Sequence, residues 1–253
     1  MRYNKNRYYK SEGEKQMDTR ILLVVPKRHD CINELRKFIN WEEADIYVFP
    51  EGFLDTEHLG EALDIIRDAG KFVISGYDDK SGKAPMEKAL VIDKGEIIGE
   101  TTKCIITPNE RNSGYVPGSE FHCVDTRFGK IAIPICYEIH FPEVARILAY
   151  EDPVLFVNTV GTSMWHELQF EQWTALGRAR AIENEVHIVG CCHYTDGIAM
   201  AYCYDCDGRN VLLAKNAYGA FLVKLDLEKS HEKKIAYFKD RLPALFGRIT
   251  EEV

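Results

Sequence analysis

Two tight-turn signals constrain this chain more than any other feature: Asp93-Lys94-Gly95 and Asp207-Gly208 each join two apolar runs. Glycine at such a turn accepts the positive φ that closes a short hairpin. "KALVIDKGEIIGETTK" and "AMAYCYDCDGRNVLLA" therefore read as antiparallel strand pairs. Around them strands and helices alternate. "RILLVV", "ADIYVF", "FVISGY", "KIAIPIC", "PVLFVNTV", "VHIVGCC" and "GAFLVKLDL" are short and apolar, rich in the β-branched and aromatic residues that suit strands. "CINELRKFIN" spaces Cys31, Leu35 and Ile39 four apart, and "PEVARILAY" opens with Pro142 in a helical first turn. "FEQWTALGRARAIENE" predicts a long helix with Phe170, Trp173, Ala181 and Ile182 on its buried side. Alternation alone would suit a doubly wound parallel sheet, but two hairpins do not belong in one. The pattern predicts a layered α/β sandwich with mixed sheets.

With 253 residues, 45% of them hydrophobic, the chain can bury a core without covalent staples. From Thr19 on there is no linker, repeat or low-complexity block, so residues 19–253 read as one domain. Residues 1–18 are polar and basic without an apolar stretch, and read as a flexible tail; Met17 is a possible alternative start. No run of 18 apolar residues occurs, which predicts no membrane span. A net charge of −8 argues against nucleic acid or an anionic membrane as a partner. Eight cysteines without a secretory leader predict reduced thiols in the cytoplasm.

Three chemically versatile residues stand where apolar runs give way to polar sequence: Glu51 after "IYVFP", Lys103 after "IIGETT" and Cys136 after "IAIPI". A strand end can hold a side chain rigidly while presenting it to a pocket. A thiol is largely protonated at neutral pH and needs a base, which a buried glutamate supplies; a lysine can stabilise the oxyanion formed when sulfur attacks a carbonyl. Such a set suffices for acyl transfer with no metal or other cofactor. Each residue also has an ordinary reading, since cysteines pack as small apolar groups and strand-end acids and lysines are commonly solvated.

Four segments, in order, resemble the nitrilase superfamily of carbon–nitrogen hydrolases: "VFPEG" (48–52), "TTKCIITPNERNSGYVPG" (101–118), "GKIAIPICYEIHFPEVARILA" (129–149) and "RARAIENEVHIVG" (178–190). The resemblance covers residues 20–245 and implies a single-domain, four-layer α-β-β-α sandwich, commonly a homodimer or higher homo-oligomer. It also implies that Cys136 is the nucleophile, Glu51 the general base and Lys103 the oxyanion stabiliser, together with the backbone N–H of Tyr137. Glu110 is implied as a second glutamate orienting Lys103 or the substrate. The implied substrate is a small amide or carbamoyl compound, cleaved through a Cys thioester with release of ammonia. Nitrile hydrolysis in the same site, or a non-catalytic binding member of the fold, are the alternatives.

Some positions depart from the family pattern. Arginine often stands three or four residues after the cysteine in members that accept carboxylate-bearing amides; here Ile139 and His140 occupy those places. Imidazole cannot reproduce the bidentate pairing of a guanidinium, which points to a neutral or differently anchored substrate. Glu138, His140, Trp165 and His166 are candidate pocket residues. "CYDC" (203–206) with Cys191, Cys192 and His193 has the composition of a zinc set, but Cys203 and Cys206 would face opposite sides of a strand unless the Asp207–Gly208 turn starts earlier, and no metal is expected there.

Overall fold

The computed structural model describes residues 18–232, 237 and 240–251. The expectations for the first 17 residues, including the tail and the alternative start at Met17, lie outside them.

Two mixed sheets carry the fold. The first is ordered β13-β1-β2-β4-β5-β6, with the short β3 also paired to β4. Its members are β1 (Thr19–Val25), β2 (Ile46–Val48), β3 (Leu54–Asp55), β4 (Phe72–Asp79), β5 (Met86–Asp93), β6 (Glu96–Thr102) and β13 (Gly219–Leu225). The second runs β12-β11-β10-β9-β8-β7. It comprises β7 (Val124–Thr126), β8 (Gly129–Ala132), β9 (Leu155–Val160), β10 (His187–Cys192), β11 (Met200–Tyr204) and β12 (Asn210–Lys215). In each sheet a parallel centre is flanked by antiparallel edges: β1 pairs β2 in parallel and β13 antiparallel, and β9 pairs β10 in parallel while β10 pairs β11 antiparallel. Both expected hairpins form. Lys94 and Gly95 take φ of 51° and 82° between β5 and β6, and Gly208 takes 75° between β11 and β12.

Side-chain alternation assigns the layers. On β1, Ile21, Leu23 and Val25 enter the core shared with the second sheet, while Leu22 and Val24 pack under α1 (Cys31–Phe38) and α2 (Leu59–Ala69). The far face of the second sheet is covered by α4 (Pro142–Ala149) and α5 (Glu167–Asn184), through Val144, Leu148, Phe170, Trp173 and Ala181. The order is helix, sheet, sheet, helix. Ile182 departs from its expected place. It is 38% exposed, because the buried stripe of α5 runs through Trp173, Gly177, Arg180, Ala181 and Asn184 and leaves Ile182 at its margin. Among the described residues no helix is long and apolar enough to cross a membrane.

Candidate active site

The ends of the inner strands converge on one cavity of about 650 Å³, whose walls include Glu51, Glu87, Glu110, Cys136, Tyr137, His140, Trp165 and Trp173. Glu51 enters it three residues after the end of β2. The chain there lies tightly against β4, where Gly76 N–H donates to Pro50 O at 3.1 Å and a Cβ on Gly76 would sit 2.2 Å from Glu51 Cα. On the other side, a Cβ on Gly161 would lie 2.4 Å from Glu51 Oε2. His193, fully buried, holds the Glu51 carbonyl through Nε2 at 3.0 Å, and burial lowers its pKa to about 4.

Lys103 follows β6 directly and is wholly shielded from solvent. Its ammonium donates to Glu51 Oε1 at 2.8 Å and to Glu110 Oε1 at 2.5 Å. Burial alone would favour the neutral amine. The charges of Glu51 and Glu110 outweigh it and hold Lys103 protonated, its pKa above the usual lysine value. Glu110 is itself fixed by a capping box on α3 (Pro108–Asn112): Oε2 accepts Thr107 N–H at 2.6 Å, and Thr107 Oγ1 accepts Glu110 N–H at 3.2 Å. The sequence Thr-Pro-Asn-Glu thus turns one carboxylate oxygen to the backbone and leaves the other for Lys103.

Cys136 does not end the paired strand as the sequence suggested. Pairing stops at Ala132, ahead of Pro134, which has no N–H to offer a neighbouring strand. Three further residues lead to a short 3₁₀ turn, Cys136–His140, and Cys136 itself has φ +48°. A non-glycine residue in that left-handed region costs about 1–3 kcal/mol, and strain of this kind recurs at functional positions. The turn is braced from behind. Asn158 Nδ2 donates to Pro134 O at 2.8 Å, while Asn158 Oδ1 accepts Trp173 Nε1–H at 3.0 Å and Tyr202 O–H at 2.9 Å. The sulfur lies against the Glu51 carboxylate and the Gly161 N–H; burial first, then the Glu51 charge, pushes its pKa well above the ordinary thiol value. The resting thiol is therefore protonated, with a carboxylate at hand to take its proton.

Of the other expected pocket residues, His140 and Trp165 line the cavity. His140 stacks edge-on to Trp173 at 4.7 Å and is pushed toward the neutral form by burial, whereas Trp165 is 73% exposed at the rim. Glu138 and His166 do not line it. The buried Glu138 carboxylate accepts Cys104 N–H at 2.7 Å, Ile135 N–H at 2.8 Å and Ile105 N–H at 3.2 Å, so it ties the cysteine turn to the lysine segment. Burial raises its pKa, and those three N–H groups pull it back. His166 is exposed and caps α5, its Nδ1 accepting Gln169 N–H at 3.2 Å. Gln169, Tyr115 and Glu87, which sequence reasoning missed, line the cavity instead.

Cys191 and Cys192 engage the backbone separately, Cys191 Sγ donating to Val48 O and Cys192 Sγ accepting Met200 N–H. All eight cysteines are free. Among the described residues one group could hold a metal ion: Cys31, Asp55 and His58, with ligand atoms within 4.8 Å of one another. None of the three lines the Cys136 cavity, and Asp55 and His58 already pair at 2.8 Å.

Residues 33–229 match the family model described as carbon–nitrogen hydrolase. The chain belongs to the carbon–nitrogen hydrolase family. Among its relatives, an omega-amidase of Xenopus laevis is 36% identical over 200 residues, covering 66% of this chain and 70% of that protein. An omega-amidase of Saccharomyces cerevisiae is 27% identical over 201 residues, 70% of this chain, and the match spans only 62% of that protein's length. The carbon–nitrogen hydrolase of Helicobacter pylori superposes with a TM-score of 0.81 over 93% of this chain and 98% of its own, at 17% identity, which shows the shared fold. The chain therefore shares the family its four segments resemble, with the four-layer sandwich that resemblance implied and the mixed sheets that its hairpins and alternation predicted.

Proposed function

We propose that this carbon–nitrogen hydrolase is a thiol-dependent amidase that cleaves the C–N bond of a small linear amide or carbamoyl compound and releases ammonia. One observation carries the reading: Cys136, Glu51 and Glu110 face a single cavity, with the buried ammonium of Lys103 bonded to both acids behind it. In the reading, Glu51 takes the Cys136 proton as sulfur attacks the substrate carbon. The carbonyl π pair moves onto oxygen, where the third N–H of Lys103 and the Tyr137 N–H receive it. Glu51 returns the proton to the departing nitrogen, so ammonia leaves and a thioester remains. Water then gives a proton to Glu51 and adds to the thioester, and collapse expels the Cys136 sulfur, which recovers the proton. The sum is amide plus water to acid plus ammonia.

The omega-amidase relatives support amide chemistry, and a probable nitrilase of Schizosaccharomyces pombe among the relatives keeps nitrile hydrolysis as the alternative. The free state of all eight cysteines supports work in a reducing compartment, with the cytoplasm as our assignment. A homodimer is proposed from the family resemblance and is checked by size-exclusion with light scattering. The function itself is tested by ammonia release over a panel of amides, carbamoyl compounds and nitriles, with quenched intact-mass analysis for an acyl adduct on Cys136. Full turnover by a Cys136→Ala variant would reject the mechanism.

A further inference from the structure

Glu87 lines the cavity beside the proposed catalytic set, yet the proposed steps leave it without a task. It lies on β5 directly across from Lys103, whose N–H donates to the Glu87 carbonyl at 2.9 Å. Its Oε2 is buried and has no hydrogen-bond partner among the described residues. Above that oxygen the chain runs through Gly52 at φ +61°, where a Cβ would stand 3.8 Å away. Lys103 is shared by Glu51 and Glu110, and Arg28 is exposed on the cavity wall. Neighbouring Asp78 accepts Tyr115 O–H at 2.8 Å and pairs with Lys80. Among the described residues, therefore, Glu87 lines the substrate space with no basic side chain hydrogen-bonded to its Oε2.

A carboxyl so placed has two stable conditions. Alone, it keeps its proton: burial first, then the charges of Glu51 and Asp78, raise its pKa to about 9 against the pull of Lys103. Beside a bound cation it ionises, and an otherwise unsatisfied oxygen gains a charge-assisted hydrogen bond. No arginine stands three or four residues after Cys136 to select an acid. We infer that Glu87 is the specificity residue of the cavity and that the substrate is a short amide carrying a cationic nitrogen, which the Glu87 carboxylate receives. Glu87 and Cys136 line the same cavity, so one small molecule can present its cationic nitrogen to the first and its carbonyl to the second. This inference rests on the amidase reading for its catalytic half only.

The test compares two amides of equal size, 3-aminopropanamide and butanamide. Wild-type protein should favour the amino amide in kcat/KM, and Glu87→Gln should collapse the ratio of the two by at least about tenfold. A binding arm is independent of turnover. Calorimetry on a Cys136→Ala variant at pH 7, in two buffers of different ionisation enthalpy, should show proton release when 3-aminopropanamide binds and none with butanamide. Adding Glu87→Gln should remove that release. An unchanged kcat/KM ratio in Glu87→Gln, or amino-amide binding without proton release, overturns the assignment. Proton release without hydrolysis of either amide would sustain it while rejecting the amidase reading.

Discussion

Glu138 holds the backbone N–H of Cys104 at 2.7 Å, and with it the register between the two segments that carry Lys103 and Cys136. Its other oxygen accepts Ile135 N–H at 2.8 Å, one residue before the cysteine. Two parts of the chain over 30 residues apart are thus locked by one buried carboxylate. Replacing it by Gln turns an NH₂ group toward one of these donors and leaves that N–H unsatisfied. Glu138→Gln is expected to lose about 1–3 kcal/mol of stability in urea unfolding. It should also lower kcat in the fraction that remains folded, because the relation of sulfur to ammonium loosens.

The two glycines beside Glu51 should respond differently to the same substitution. In Gly76→Ala the new methyl meets backbone, with Glu51 Cα at 2.2 Å and Pro50 O at 2.4 Å. Backbone cannot yield locally, so a loss of about 3 kcal/mol or more is expected in thermal or urea unfolding. In Gly161→Ala the methyl meets the carboxylate end of Glu51 at 2.4 Å. That end can swing, but only by leaving Lys103 and Cys136. The expected outcome is a modest stability change and a fall in kcat/KM of about 100-fold, as a misplacement near 1 Å commonly produces.

Lys103→Met keeps an unbranched side chain, shorter by the terminal atom, and removes its charge. Glu51 and Glu110 are then left facing one another without the cation they share. Breaking a buried pair from one side typically costs about 3–5 kcal/mol, and an oxyanion donor is worth about 10²–10³ in kcat. Both losses should appear together, in unfolding and in steady-state kinetics. A Lys103→Met protein of undiminished stability would show that the ion pairs are not the support assigned to them.

The hairpins and the strand–helix alternation made the architecture legible from sequence, because Gly at a positive φ and β-branched runs are local requirements. Glu51, Lys103 and Cys136 were legible as candidates at the ends of apolar runs, and Glu110 only through the family resemblance, although the Thr107–Glu110 capping-box spacing was there to be used. The helix α2 escaped the sequence reading, although Ala62, Ile65 and Ile66 at helical spacing and Gly70 at its left-handed end were there to be used. What remained hidden was tertiary. Glu138 and Glu87 have the same side chain; only the three N–H groups that meet one and the unpartnered Oε2 of the other separate them. Asn158, a lone polar residue inside "LFVNTV", carried a signal, since such a group must find partners when buried. Sequence could not say that its partners would brace the cysteine turn.

Glu87 also sets a pH dependence of folding that needs no substrate to observe. Its carboxyl has a pKa of about 9 in the folded protein, raised by burial and then by Glu51 and Asp78, against an ordinary glutamate value near 4.5 in the unfolded chain. For a group raised on folding, the unfolded state releases the proton first. Its contribution to stability is complete below about pH 4.5 and is lost progressively as pH rises toward 9, where the folded protein ionises too. Glu87→Gln has no proton to lose and keeps the neutral form throughout. The difference in unfolding free energy between variant and wild type should therefore grow in favour of the variant between pH 5 and pH 9, by more than ~1 kcal/mol, since a tenfold change in a protonation equilibrium corresponds to about 1.4 kcal/mol. Urea titrations at pH 5, 7 and 9 check this. Parallel curves for the two proteins across that range would mean that Glu87 is already ionised in the folded state, and that a partner other than a bound cation compensates it.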